Sequence, residues 1–163
     1  MIKTLFLDVD GTLTDGFVYM SESGEAFKAF NVKDGFGLSR VVKENHILPI
    51  IITGRNSDIL TKRCEELGIN RIYQNTKDKK RAVAYICEQE GINAAESAYM
   101  GDDLNDKEAM LFIAEAGGLT GCPADAESEI KALCTFVSSK DGGKGAVREF
   151  INYLIQTNCK SSN

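Results

Sequence analysis

A chain of 163 residues is long enough to bury a core of its own and is read as one domain, residues 1–163. Its 43% hydrophobic and 26% charged residues are those of an ordinary soluble protein. A formal charge of −5, with basic clusters no longer than Lys77 to Arg81, argues against a nucleic-acid surface, and no apolar stretch reaches the ~18 residues of a membrane helix. Met1-Ile2-Lys3 runs straight into a strand-like segment and does not read as a signal peptide. The five cysteines (Cys64, Cys87, Cys122, Cys134 and Cys159) are odd in number and lack C-x-x-C spacing, so reduced thiols in a cytoplasmic protein are expected.

In chain order, TLFLDVD (Thr4 to Asp10) reads as a short buried strand. Two aromatic and β-branched runs around SESGE make residues 17–30 a β-hairpin. GFGLSRVVKENH has helical spacing, and ILPIIITG is a second buried strand. A helix opens at Asn56 or Ser57 and closes at Gly68, INRIYQN is a strand, and residues 77–91 form a helix ended by glycine. ESAYMGDD is a strand ending in acids, DKEAMLFIAEAG a helix, GLTGCP a strand, AESEIKALC a helix, TFVSS a strand and GAVREFINYLIQT a closing helix. Residues 158–163 are expected to be a mobile tail. This alternation predicts an α/β, Rossmann-like, doubly wound and mainly parallel sheet, with ligands at the carboxyl ends of its strands.

The chemically notable residues cluster at those ends. Asp8 and Asp10 close the first strand, and Asp102 and Asp103 close the fourth. Acids brought together from separate strands repel unless a cation lies between them, and a hard cation such as Mg²⁺ takes oxygen ligands. A DxD pair alone is more often a loop cap. DVDGT after one strand together with GDDLND after another is much harder to read that way. Two acids one residue apart on a strand point to the same face, so one can attack while the other moves protons. Thr53 and Gly54 end a strand where backbone N–H groups can face an anion, and Lys79 opens a helix where its ammonium can reach a phosphate. Taken singly, each of these has a plain structural reading: Thr-Gly is a common turn, and a lysine beside Lys77, Lys80 and Arg81 usually faces solvent.

Together DVDGT, IITG, Lys79 and GDDLND, in that order, resemble the four motifs of the haloacid dehalogenase-like phosphatase superfamily. The resemblance spans nearly the whole chain. It implies Asp8 as nucleophile, forming an aspartyl phosphate, and Asp10 as general acid and then general base. It implies Mg²⁺ held by the Asp8 carboxylate, the Asp10 backbone carbonyl and Asp102, with Asp103 and Asp106 behind them. Thr53, Gly54, Lys79 and Asn105 would hold the phosphoryl group. No cap domain fits between the motifs, so the hairpin is the only flap.

DVDGTLTDG, FNVKDGFGL, ITGR and GGKGAVREF further resemble the small capless branch that contains 3-deoxy-D-manno-octulosonate 8-phosphate phosphatases. That resemblance implies a phosphorylated 2-keto-3-deoxy sugar acid as substrate and a homotetramer in which a neighbour closes each site. Asn31, Lys33, Asp34 and Gly35 would border the substrate, and Arg55 and Arg63 would meet its carboxylate. Lys144 would act in trans, although the family more often has arginine there, and lysine lacks the bidentate fork. Nine-carbon 9-phosphates, as in sialic-acid-type sugars, are the alternative substrates, and an assembly domain related to acylneuraminate cytidylyltransferases is the alternative role. A phosphate-accepting receiver is a further class, but it has no use for a proton carrier at Asp10.

Overall fold

The strand Thr4–Leu7 (β1) lies in the middle of the computed structural model, which describes residues 1–160. After it come a hairpin of Tyr19–Ser21 (β2) and Gly24–Phe27 (β3), then the helix Val32–Phe36 (α1). A π-helical turn, Gly37–Val41, links α1 to the short helix Val42–Glu44 (α2). Leu48–Ile52 (β4), Asp58–Leu67 (α3), Ile72–Tyr73 (β5) and Lys79–Glu90 (α4) follow. Ser97–Met100 (β6), Leu104–Glu115 (α5), Leu119–Cys122 (β7), Ser128–Leu133 (α6), Phe136–Val137 (β8) and Ala146–Lys160 (α7) complete the chain.

Six strands pair in the order β5-β4-β1-β6-β7-β8, every pairing parallel, and β2-β3 form a separate antiparallel pair. Side-chain alternation divides the core between the two faces. Leu5, Leu7, Ile51 and Met100 pack on one face with Leu38, Val42 and the α7 residues Phe150 and Leu154. Phe6, Ile50, Ile52 and Tyr99 pack on the other with Val83 and Ile86 of α4 and Met110 and Ile113 of α5. This burial on both faces explains why the strands read as continuous apolar runs rather than alternating ones.

The chain moves outward from β1 to β4 and β5, then crosses to the opposite side of β1 to form β6. The crevice between the carboxyl ends of β1 and β6 is therefore the topological switch point, where open α/β sheets bind ligands. No helix among the described residues is long and apolar enough to cross a membrane.

The doubly wound sheet is the expected one, with local corrections. β1 ends at Leu7, and the next residues leave the strand for a tight turn in which Val9 O accepts from the N–H groups of Thr12, Leu13 and Thr14. Asp8 and Asp10 therefore do not share a strand face. The expected strand at Ile69–Asn75 pairs only at Ile72 and Tyr73. Of the expected tail, Asn158 to Lys160 are helical, and Asn158 exchanges two hydrogen bonds with the backbone of Ile2 (2.6 and 2.9 Å). Residues 161–163 lie outside the described residues.

Asp34 has a structural task. It is buried, and its two carboxylate oxygens accept from the backbone N–H groups of Gly145 (3.2 Å) and Arg148 (2.8 Å) at the start of α7. Both oxygens thus tie α1 to the start of α7. Asp34→Ala should lower the unfolding free energy by about 1–3 kcal/mol, the cost of leaving buried N–H groups without an acceptor, as read from urea denaturation.

Candidate active site

The cluster at the switch point is built from three chain segments. Asp8 follows β1, Asp102 follows β6, and Asp106 sits in the first turn of α5. Their carboxylate oxygens lie within 4.8 Å of one another. The Lys79 ammonium, from the first residue of α4, reaches between two of them, 2.5 Å from Asp8 Oδ1 and 2.7 Å from Asp106 Oδ1. Lys79 is 2% exposed, whereas Lys77, Lys80 and Arg81 face solvent, so the solvent-facing reading of Lys79 does not hold. Tyr99 Oη donates to Asp106 Oδ1 (2.7 Å), and Asp106 Oδ2 accepts from Asp102 N (3.3 Å), so Asp106 braces the cluster from behind. Thr12 Oγ1 donates to Asp102 Oδ1 at 2.9 Å.

Two glycines make room for these carboxylates. A Cβ on Gly11 (φ +96°) would lie 2.0 Å from Asp102 Oδ2, and one on Gly101 would lie 2.4 Å from Asp106 Cγ. Only a residue without a side chain lets the DGT loop and the GDD turn approach this closely.

Three carboxylates, two buried and one half-buried, beside one buried ammonium leave two negative charges in a confined space. Burial first, and then the Asp106 charge, drives Asp8 well above the usual carboxylate range, although Lys79 opposes the shift. The same two causes push Asp102 up to about 6, opposed by the Thr12 hydroxyl. Burial works against the Lys79 ammonium, but Asp8 and Asp106 outweigh it and its net shift is upward. A donor set of hard oxygens with two excess negative charges fits a divalent cation, which would relieve the repulsion that raises Asp8 and Asp102.

Thr53 is buried just beyond β4, with its hydroxyl accepting from Arg55 N (3.3 Å), and Gly54 beside it is exposed. Asp10 turns toward the hairpin, where Oδ1 pairs with Lys28 and lies 3.7 Å from Arg55 Nη1. Asp103 caps α5 through Leu104 N (2.7 Å), and Asn105 is exposed on the same helix. A polar cavity of about 230 Å³ opens beside Asp102, lined by Gly11, Asp15, Gly16, Phe17 and Asp125.

The remaining expected residues gather elsewhere. Asn31, Asp34, Gly35 and Arg63 line a separate, mostly apolar crevice with Leu13 and Phe30. Asn31 caps α1 through Lys33 N (2.8 Å), and Lys33 is exposed. Arg63 stacks over the Phe30 ring (5.8 Å) and pairs with Glu66 (3.1 Å). Lys144 is exposed and pairs with Asp141 of its own loop (2.8 Å). The sequence reading missed Thr12, Tyr99, Glu25, Lys28 and Ser57. Thr12 stands inside the DGT motif and was within reach, but the other contacts cross between elements and have no local signature.

Comparison with known proteins agrees with this geometry. Residues 65–151 match the family model of the haloacid dehalogenase-like hydrolases. The chain is 41% identical to the 3-deoxy-D-manno-octulosonate 8-phosphate phosphatase KdsC of Escherichia coli K12 over 94% of its own length and 79% of that protein. The chain belongs to the haloacid dehalogenase-like hydrolases. Among solved structures it is similar to the cobalt-bound deoxy-D-mannose-octulosonate 8-phosphate phosphatase of Haemophilus influenzae, with TM-score 0.88, 37% identity and coverage of 99% and 91% of the two chains. It is also similar to the 3-deoxy-D-manno-octulosonate 8-phosphate phosphatase of Moraxella catarrhalis in complex with magnesium, phosphate and KDO (TM-score 0.87, 36% identity, coverage 95% and 86%). Phosphatases of this family use a divalent metal, in keeping with the charge deficit of the cluster.

A raised carboxyl pKa means that the folded state binds protons more readily than the unfolded chain, so Asp102 costs stability as pH rises from its ordinary 3.8 through about 6. In metal-free protein, melting temperatures across this window should fall relative to an Asp102→Asn variant measured alongside. Saturating Mg²⁺ should remove the difference in slope.

Proposed function

We propose that this chain is a cytoplasmic, Mg²⁺-dependent phosphomonoester hydrolase that acts on 3-deoxy-D-manno-octulosonate 8-phosphate. The observation that carries the reading is the buried Asp8–Lys79–Asp106 cluster, with Asp102 beside it, at the switch point of a doubly wound sheet. The 41% identity to KdsC over 94% of the chain supports the choice of substrate.

Asp8, Asp102 and the Asp10 backbone carbonyl would hold Mg²⁺, which when bound neutralises charge on the phosphoryl oxygens. Asp8 attacks phosphorus, the bond from phosphorus to the sugar oxygen breaks, and Asp10 gives its proton to the departing alkoxide. Asp10 then takes a proton from a water that attacks the same phosphorus, which releases phosphate and frees Asp8. Splitting hydrolysis in this way replaces one difficult step with two easier ones. Lys79 stands beside Asp8 and supplies fixed positive charge, while Thr53 and the backbone at Gly54 offer donors to the phosphoryl oxygens. Stabilising charge in place, rather than intrinsic reactivity, is the main demand of phosphoryl transfer.

The sugar acid's carboxylate is assigned to Arg55. Its guanidinium is partly exposed at the mouth of the site, beside the Asp10 and Glu25 carboxylates. Arg63, Asn31, Asp34 and Gly35 are assigned to the wall of the neighbouring crevice, Lys33 to the exposed surface of α1, and Lys144 to an exposed loop available to another subunit.

A homotetramer joined through the hairpins is the proposed assembly, because the hairpin exposes a band of large apolar side chains. Phe17, Met20 and Phe27 are 69%, 65% and 52% exposed, which is unusual for so short a segment. Asp8→Asn should reduce phosphate release at least roughly a thousandfold. A panel containing the eight-carbon 8-phosphate and the nine-carbon 9-phosphates should show a clear preference for the former, and a preference for the latter would move the assignment to the nine-carbon branch. Phe17→Asp combined with Met20→Asp should reduce the assembly to smaller species in sedimentation velocity.

A further inference from the structure

Two charged residues of the hairpin, Glu25 and Lys28, have no part in the steps above. Their placement follows from a β-bulge. Tyr19 pairs with Phe27 and Met20 with Glu25, so β3 carries one residue more than β2 across this interval. The extra residue shifts the side-chain phase, as bulges do. Ala26 and Phe27 both face outward, while Glu25 and Lys28 both turn in toward the site. Lys28 follows β3 directly, and without the bulge a continuation of the strand's alternation would place positions 25 and 28 on opposite faces.

The inward pair builds a chain of charges. The Lys28 side chain is 2% exposed, and its ammonium pairs with Asp10 Oδ1 and with Glu25 Oε1 (3.0 Å). Glu25 Oε1 lies 3.0 Å from Arg55 Nη2, and Glu25 Oε2 accepts from Ser57 Oγ (2.6 Å). Ser57 is itself the N-cap of α3. The chain thus runs from the loop after β1, through the hairpin, to the loop after β4. An ammonium removed from water is costly unless its partners stay in place, so Lys28 and its two carboxylates constrain one another's positions.

We propose that Lys28 is a positioning residue for Asp10, holding its carboxyl toward the leaving oxygen, and that Glu25 keeps Lys28 and Arg55 in register with it. The proposal rests on the phosphatase reading and deepens it. A lysine that only fastened the hairpin would predict a loss of activity indifferent to the leaving group. A lysine that aims Asp10 matters most where the leaving oxygen needs a proton. The alkoxide of a sugar phosphate needs one, and the phenolate of p-nitrophenyl phosphate departs without it.

The test uses wild type, Lys28→Met and Glu25→Gln with Mg²⁺, on 3-deoxy-D-manno-octulosonate 8-phosphate and on p-nitrophenyl phosphate, with melting temperatures recorded for each protein. For Lys28→Met, turnover of the sugar phosphate should fall about 100-fold. p-Nitrophenolate should appear in a burst of about one equivalent per site followed by a slow phase, because hydrolysis of the aspartyl phosphate still needs Asp10. Glu25→Gln should show the same pattern with a loss of about tenfold, and it decides the question alone if Lys28→Met does not fold. Equal losses on both substrates without a burst, or sugar-phosphate turnover within about threefold of wild type, would overturn the proposal while leaving the phosphatase reading intact. A wild type that releases phosphate from neither compound would overturn both.

Discussion

The site depends on one arrangement: a single lysine buried among three carboxylates. Lys79 opens α4, at the positive end of a helix dipole, where a cation is poorly placed. Asp8 and Asp106 hold it there through contacts of 2.5 and 2.7 Å in a space closed to water. Breaking a buried pair by removing one partner is generally far more costly than the pair's net worth, so each member fixes the others. The result is a positive charge held beside Asp8, in a cluster whose remaining negative charge fits a dication.

Topology brings these groups together, and small residues let them approach. The reversal of winding around β1 leaves a crevice at its carboxyl end, and the segments after β1 and β6 meet there because their strands are neighbours. α4 packs against α5, which brings Lys79 to Asp106. Gly11 and Gly101 then permit contacts that any Cβ would block. The glycines of DVDGT and GDD thus belong to the site as fully as its acids do.

Much of this was legible in the sequence because it is carried by short motifs on well-patterned elements. Continuous apolar runs between amphipathic segments gave away a doubly wound sheet, and Ser57 and Gly68 bounded α3 as their chemistry requires. Asp8, Asp102 and Lys79 could be placed because each follows a strand or opens a helix. Asp10 was misread in one respect: strand alternation ceases at Leu7, so a period-two argument had no strand left on which to act. The bonds that Asp34 makes to the start of α7, more than a hundred residues away, had no mark in its motif. Lys28 and Glu25 were hidden by a bulge, since nothing in a run of hairpin residues marks where the register slips. What escaped was consistently a contact between distant elements.

The hairpin shows how a short two-stranded flap can help to build an organised site. A two-stranded ribbon is marginal in water by itself. This one is fastened at its base by Tyr19 Oη on Asp15 Oδ2 (2.6 Å) and by the Tyr19–Phe27 ring stack at 4.3 Å, and on its inner side by Lys28 and Glu25. Its outer side presents Ala26 and Phe27 to the surroundings. The two sides make opposite demands on the same short ribbon: inward charge needs partners fixed in place, and outward apolar surface needs cover. One bulge meets both demands by placing Ala26 and Phe27 together on the outside. Anything that covers the outer side also restrains the backbone that carries Lys28, and through Lys28 it restrains Asp10. Packing on the hairpin and order in the loop that carries Asp10 are therefore mechanically linked through the charges that tie the hairpin down.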